Sequence, residues 1–242
     1  MDARRAAILE AMGIDRFVAR APLVEPLSSP SPSVQSAAPV VALAAPTGVD
    51  ELHVGSLDWD ALAGQVATCT RCALAAGRSQ SVFGGGDRAA RWMIVGEGPG
   101  AEEDRAGEPF LGSAGQLLDS MLQAIGLRRP QVYLANILKC RAPGNRDPHP
   151  AEARCCMPFL QRQIELVDPA LILCLGRIAA HSLLGVETPL GQLRGRVHEL
   201  NPLGRKVVVT YHPGYLLRTP GEKRKVWADL QLAMETARGQ RA

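Results

Sequence analysis

Short apolar runs alternate with amphipathic stretches along the chain from about residue 57 onward. Four runs of four to six residues end at glycine or polar positions, which is typical of buried parallel strands. They cover residues 92–95, 132–136, 170–175 and 206–211. Apolar positions at helical spacing predict helices at 59–68, 115–125, 150–167, 177–184 and 222–238. The pattern therefore predicts an α/β fold, a three-layer α/β/α sandwich around a four-stranded parallel sheet.

The beginning of the chain has a different composition. Residues 3–19 have the apolar spacing of a short amphipathic helix, interrupted by Gly13. The following segment is rich in Pro, Ser and Ala and poor in charge, so it cannot bury enough surface to order itself. We expect an amphipathic helical segment at 1–21, a disordered linker at 22–56 and one folded domain at 57–242.

The charge and the cysteine content of the chain indicate which partners and which compartment to expect. The net charge is only +3, so binding to nucleic acid would need a local concentration of basic residues. No apolar stretch is long enough to cross a membrane, and the first residues lack the apolar region of a secretory signal. We expect a cytoplasmic protein, where clustered cysteines are metal ligands more often than disulfides.

Four cysteines have the spacing of a metal site. They are Cys69 and Cys72 in a C-x2-C pair, then Cys140 and Cys156. Zinc typically shows a second C-x2-C pair, so one tight pair with two dispersed cysteines favours a [4Fe–4S] cluster. The alternative is that they are small buried apolar residues. Cys155 competes with its neighbour for the ligand role, and Cys174 has the surroundings of a core residue.

Three polar residues stand at the ends of predicted strands, where α/β sheets bind ligands. Glu97 lies in the turn G-E-G-P-G, Asn136 ends the second run, and His212 follows the fourth. A carboxamide can meet N3–H and O4 of a pyrimidine together, and a rigidly held histidine can donate to a developing anion. The alternatives are a strand-exit turn, local backbone capping and a turn histidine. Phe110, in a loop rich in Gly and Pro, either stacks on a base or packs the loop onto the core.

Taken in order, the motifs of the chain resemble those of the family 4 uracil-DNA glycosylases, the iron–sulfur class. They are C-x2-C, G-E-G-P-G, G-x-P-F-x-G-x-A-G, N-I-x-K-C-R-x-P-G-N-R, C-x-P-F-L, L-R-G-R and H-P-x-Y-L-L-R, within residues 58–235. The resemblance implies the same α/β/α fold, a structural [4Fe–4S] cluster, and release of uracil flipped out of single- or double-stranded DNA. It does not extend to residues 1–50.

The resemblance also implies roles for individual residues. Phe110 stacks on uracil, Asn136 reads its Watson–Crick edge, and His212 stabilises the anion at uracil O2. Glu97 and Gly98 stand where some related enzymes carry an aspartate that positions water, so Glu97 is only a candidate for that role. Glu103 matches a second acidic position of the pocket.

The remaining implied positions are the cluster ligands and the DNA contacts. By resemblance the ligands are Cys69, Cys72, Cys140 and Cys156, with Cys156 chosen because it precedes x-Pro-Phe-Leu. The expected DNA contacts are Arg146, Leu216 and Arg218, where Leu216 or a neighbour fills the gap left by the flipped base.

The N-terminal segment resembles the start of the psi subunit of bacterial DNA polymerase III. That resemblance implies that residues 3–19 dock on the polymerase chi subunit. We expect the chain to be a monomer without a membrane anchor.

Three other functions compete with the glycosylase prediction. Some relatives become covalently linked to uracil-DNA through a histidine in a K-R-R-I-H loop, but this chain has G-N-R-D-P-H-P there, and His149 lacks the pattern. A non-catalytic replication or repair module would bind DNA without releasing a base. A redox protein is less compatible, because the cysteines do not form a ferredoxin run.

Overall fold

The computed structural model describes residues 54–239, so the expected segment 1–21 and nearly all of the expected linker 22–56 lie outside the described residues. The strands are β1 (Gly85–Gly86), β2 (Trp92–Gly96), β3 (Tyr133–Asn136), β4 (Leu171–Leu175), β5 (Val197–Leu200) and β6 (Arg205–Thr210). The first four α-helices are α1 (Trp59–Thr68), α2 (Ala101–Ala106), α3 (Gly112–Ala124) and α4 (Pro150–Val167). They are followed by α5 (Arg177–Leu184), α6 (Leu190–Leu193), α7 (Pro213–Arg218) and α8 (Lys223–Gly239).

The strands form one mixed six-stranded sheet in the order β1-β3-β2-β4-β6-β5. The four predicted strands are its parallel centre, and β1 and β5 pair antiparallel at its two edges. The expectation of a four-stranded, wholly parallel sheet is therefore wrong. The edge strands lack the continuous apolar run that a buried strand shows, since β1 is only Gly-Gly and three of the four β5 residues are not buried.

Helices cover both faces of the sheet. Alternate β2 residues point in opposite directions, so Met93 and Val95 join one apolar cluster while Trp92 and Ile94 join another. Residues of α4, α5 and α6 complete the first cluster, and residues of α3, α7 and α8 complete the second. This three-layer arrangement was expected.

Capping interactions place two helices where the sequence predicted them. The Asp58 side chain accepts a hydrogen bond from the Ala61 N–H at 2.9 Å, so α1 begins at Trp59. Helix α4 has a proline at its first position, and Glu152 accepts the His149 N–H at 2.8 Å. Val54 is buried beside α1, so packing begins slightly before the expected boundary at 57.

The parallel strands bring their carboxyl ends to one edge of the sheet. Gly96 at the end of β2 pairs in register with Asn136 at the end of β3. Strand β6 ends at Thr210, two residues before His212. None of the described helices combines the length and apolar character needed to cross a membrane.

Candidate active site and cysteine cluster

Gly96, at the end of β2, is closely approached by the side chains of Asn136 and Phe110. A Cβ placed on Gly96 would lie 2.5 Å from Asn136 Oδ1 and 2.5 Å from Phe110 Cζ. The glycine is therefore required for the amide and the ring to approach the end of β2. The Phe110 ring is also stacked with His212, with centroids 6.3 Å apart and planes at 30°. Three of the predicted site residues are thus brought together.

His212 has a defined orientation and protonation state. Its Nδ1 accepts a hydrogen bond from the Gly214 N–H at 3.1 Å, so in the neutral ring the proton is on Nε2. Burial, together with the nearby positive charge of Arg218 as the smaller cause, lowers the pKa of His212 to about 4. At neutral pH His212 is a neutral imidazole with one N–H available for donation.

The Asn136 side chain is free to bind a ligand. Asn136 is 3% exposed, yet the hydrogen bonds within residues 54–239 do not engage its carboxamide. Its backbone carbonyl, in contrast, accepts a hydrogen bond from Lys139 Nζ at 2.9 Å. A buried amide with its backbone fixed and its side chain free is suited to reading the edge of a base.

Glu97 and Gly98 follow directly after Gly96. Burial raises the pKa of Glu97, the negative charge of Asp147 adds to the rise, and Arg177 opposes it. The half-buried carboxyl is therefore less acidic than usual. A Cβ on Gly98 would lie 3.2 Å from the Leu138 Cβ, so the turn packs closely against the residues after β3.

The Phe110 loop is held in an unusual conformation. Phe110 has φ +56°, a left-handed value that costs a non-glycine residue about 1–3 kcal/mol. Glu103 Oε1 accepts the Leu111 N–H at 2.9 Å, so this predicted pocket residue fixes the loop that carries the ring. Such strain persists only where several contacts specify it.

The four predicted ligand cysteines converge from three parts of the chain. Cys72, Cys140 and Cys156 share one buried cluster with Leu74 and Leu138. Cys69 is close enough to raise the pKa of Cys72 and of Cys140, in both of which burial is the larger cause. Burial likewise raises the pKa of Cys156 to about 12.

The chemistry of this donor set fits a metal cluster. Neighbouring thiols with raised pKa values lose their protons when positive charge neutralises the thiolates, and a bound metal cluster would provide that charge. Arg78 Nη1 donates to Cys140 Sγ at 3.0 Å, and the Lys139 N–H donates to the sulfur of Cys156. Among residues 54–239, no three His, Cys, Asp or Glu side chains are close enough to hold one metal ion.

Cys155 differs from its neighbour. It is also close enough to raise the pKa of Cys72, but its Sγ donates to the Arg71 carbonyl at 3.5 Å, and it is only half-buried. Cys174 is fully buried in the middle of β4, as expected of a core residue.

Comparison with known proteins shows the family to which the chain belongs. The family model for the uracil DNA glycosylase superfamily matches residues 83–231. A type-4 uracil-DNA glycosylase from Archaeoglobus fulgidus is 41% identical over 178 residues, which are 71% of this chain and 89% of the relative. The type-4 enzyme from Thermotoga maritima is 42% identical over 176 residues, 70% of this chain and 89% of the relative. The chain belongs to the type-4 uracil-DNA glycosylases.

Two leucines of this glycosylase have opposite environments. Leu216, the expected contact with the flipped-base gap, is 1% exposed and packs into the apolar cluster under α7. Leu217 is 45% exposed. The sequence motif does not reveal the rotation of this one-and-a-half-turn helix, which decides which leucine faces outward.

The two expected arginine contacts also differ. Both terminal nitrogens of the Arg146 guanidinium bind the two carboxylate oxygens of Glu152, at 2.9 and 2.7 Å. Arg146 thus also holds the start of α4. Arg218 is exposed at the end of α7, next to His212.

Three residues of the site were not predicted from the sequence. They are Arg78, Lys139 and Arg129, whose guanidinium donates to the Pro109 and Phe110 carbonyls. Lys139 stands in a run of otherwise buried apolar residues, a signal that it must have buried partners. Arg78 and Arg129 carry no such signal, because their partners are distant in sequence.

Proposed function

We propose that this glycosylase flips uracil out of DNA and hydrolyses its N-glycosidic bond with Asn136, Phe110 and His212. The observation that carries the proposal is the meeting of these three side chains at Gly96. Flipping is necessary because the glycosidic bond of a stacked base is unreachable, and single-stranded DNA avoids most of its cost.

The first step is recognition of the flipped base. Asn136 has a free carboxamide whose oxygen would accept from uracil N3–H while its N–H donates to O4. The Phe110 ring offers a flat apolar surface for stacking, worth about 1–3 kcal/mol per base. Cytosine presents the reverse arrangement of donor and acceptor at these two positions, so the same amide orientation would reject it.

The second step is breakage of the bond between the sugar and uracil. The bonding electrons move to uracil, where negative charge gathers at O2, and positive charge develops on the sugar. The Nε2–H of neutral His212 is fixed by the bond to Gly214 and would donate to O2. One such prearranged donor typically contributes about 3–4 kcal/mol.

Glu97 is proposed to assist the sugar side of the reaction. A carboxylate next to the pocket would oppose the positive charge on the sugar and orient the water that attacks C1′. The water oxygen bonds to C1′ and its released proton neutralises the uracil anion, which leaves an abasic site and free uracil. The raised pKa of the Glu97 carboxyl is compatible with accepting this proton from the water.

The four converging cysteines are proposed to hold a [4Fe–4S] cluster. Each thiolate would bind a different iron, so the sulfurs need not approach as closely as around a single zinc ion. The cluster would supply a cross-link between the C-x2-C turn, the residues after β3 and helix α4. Because Cys140 is only four residues from Asn136, this cross-link would stabilise the base-reading edge.

Several properties outside the pocket complete the proposal. Leu217 and Arg218 would contact the DNA strand, the chain would act as a monomer in the cytoplasm, and residues 3–19 would tether it to polymerase chi. A pull-down with purified chi tests the tether, using the full chain and a chain without residues 1–22. Equal retention of both chains would contradict it.

The proposed reaction is tested with oligonucleotides that carry one uracil, or thymine at the same position, as single strand and duplex. We expect alkali-sensitive abasic sites and free uracil only from the uracil strands. Denaturing electrophoresis of the same reactions examines the alternatives. A protein–DNA adduct would indicate covalent trapping, and DNA binding without release would indicate a non-catalytic module.

A further inference from the structure

The Phe110 ring can serve as a stacking surface only if its backbone is kept in the left-handed conformation. Its φ is +56°, and a relaxed backbone would carry the ring away from Gly96. Two peptide groups adjoin the Phe110 Cα. The Pro109–Phe110 peptide sets φ, and the Phe110–Leu111 peptide sets ψ.

Arg129 contacts both of these peptides. Its Nη1 donates to the Pro109 carbonyl at 3.2 Å, and its Nη2 donates to the Phe110 carbonyl. One planar guanidinium therefore fixes two carbonyl groups whose relative orientation defines the Phe110 backbone. Lysine presents a single nitrogen and does not reproduce this spacing.

Two carboxylates complete the arrangement. Asp119 Oδ1, on α3, accepts from Arg129 Nε at 2.5 Å and so aims the guanidinium at the loop. Glu103 Oε1 accepts the Leu111 N–H at 2.9 Å, so the Phe110–Leu111 peptide is held at both its carbonyl and its N–H. Gly115 leaves room for the Phe110 carbonyl, because a Cβ on Gly115 would lie 1.9 Å from the Phe110 oxygen.

We propose that Arg129, oriented by Asp119, is a positioning residue of the glycosylase that holds the Phe110 ring in place for stacking on uracil. The inference rests on the proposed stacking role of Phe110. The guanidinium of Arg129 contacts the loop carbonyls and Asp119, so Arg129 would act through the backbone of Phe110.

The first test compares Arg129→Met with Arg129→Lys in single-turnover release of uracil from a single strand. Arg129→Met should slow release on the order of 100-fold, as expected for a misplaced binding group. Arg129→Lys should be intermediate, and inhibition by free uracil should weaken in parallel. The matched control is Arg162→Met, which removes a guanidinium that also holds a backbone carbonyl, of Leu57, and a carboxylate, of Glu165. That control should release uracil at the parent rate.

The second test repeats the Arg129 change in a Phe110→Ala background. If Arg129 acts through Phe110, the double variant should be within about 2-fold of Phe110→Ala alone. If the double variant instead loses rate by the product of the two single losses, the inference is overturned. It is also overturned if Arg129→Met releases uracil at the parental rate while Phe110→Ala is slow. Parental speed in Phe110→Ala itself would instead overturn the stacking role in the proposed function, and this inference with it.

A third variant covers poor folding of Arg129→Met. Asp119→Asn keeps Arg129 and weakens only its orientation, so it should slow release by roughly 5-fold to 10-fold. That loss should also vanish in the Phe110→Ala background. An Asp119→Asn enzyme as fast as its parent would contradict the assigned role of Asp119.

Discussion

Lys139 Nζ donates a hydrogen bond to the backbone carbonyl of Asn136 at 2.9 Å, although Lys139 is only 1% exposed. The same nitrogen donates to Gln163 Oε1 at 2.6 Å, and Gln163 in turn donates to the Tyr133 hydroxyl. Lys139 also directly precedes Cys140. Asn136, which is proposed to read the base, and the cysteine cluster are therefore linked by one buried polar network.

Replacing Lys139 with Met should destabilise the protein by at least about 2 kcal/mol, because the Asn136 carbonyl and Gln163 lose their donor. Urea denaturation followed by circular dichroism measures the change. Lys206→Met is the control, since Lys206 forms an exposed pair with Glu199 and its loss should cost under about 1 kcal/mol. Equal stability of the two variants would show that the network contributes little.

Leu217→Ala should slow uracil release from duplex DNA on the order of 10-fold and from a single strand by less than about 2-fold. The exposed leucine would fill the gap left by the flipped base, and a single strand has no such gap to fill. Comparing single-turnover rates on the two substrates measures the effect. Val197→Ala, which truncates an equally exposed apolar residue on β5, should leave the ratio unchanged. Equal losses on both substrates would indicate a different role for Leu217.

The depressed pKa of His212 predicts a pH-dependent contribution to stability. The folded-state value is about 4 and the ordinary value is 6.5, so between them the unfolded chain binds the proton more readily. The contribution is complete above pH 6.5, decreases as the pH falls towards 4, and amounts to about 3 kcal/mol. The difference in unfolding free energy between the parent and His212→Gln should therefore decrease over this window. A constant difference from pH 7.5 to 4.5 would contradict it.

The choice between two adjacent cysteines can be tested by iron analysis. Cys156 is buried with Cys72 and Cys140, whereas Cys155 lies near Cys72 but is only half-buried and donates to the Arg71 carbonyl. Cys156→Ser should lose most of its iron and its visible absorbance, and Cys155→Ser should keep the iron content of the parent. The reverse result would show that Cys155, and not Cys156, is the ligand.

The sequence was sufficient for the centre of the fold. Helix Pro150–Val167 was predicted to the residue, because a proline start and regular apolar spacing are local signals. The helices predicted at 115–125 and 222–238 are Gly112–Ala124 and Lys223–Gly239 in the structure, so their ends were less well defined by the sequence. Strands β1 and β5 were missed because edge strands need no apolar run. Their existence depends on the backbone groups that the neighbouring strands offer.

The apolar pattern alone could place together those site residues that follow a strand. Asn136 and His212 could be placed together because parallel strands share one edge. Arg129 could not, since it reaches Pro109 and Phe110 from twenty and nineteen residues away along the chain. The choice of Leu217 over Leu216 depends on the rotation of α7 against the core.

The central claim is that the pocket at Gly96 performs the release of uracil. Its most direct test is single-turnover release from a single-stranded uracil oligonucleotide by the parent, Asn136→Ala and His212→Ala, each with the parent's iron content. We predict rapid release by the parent and losses of at least about 100-fold in each variant. Release by both variants at rates near that of the parent would contradict the claim and place the reaction elsewhere in the protein.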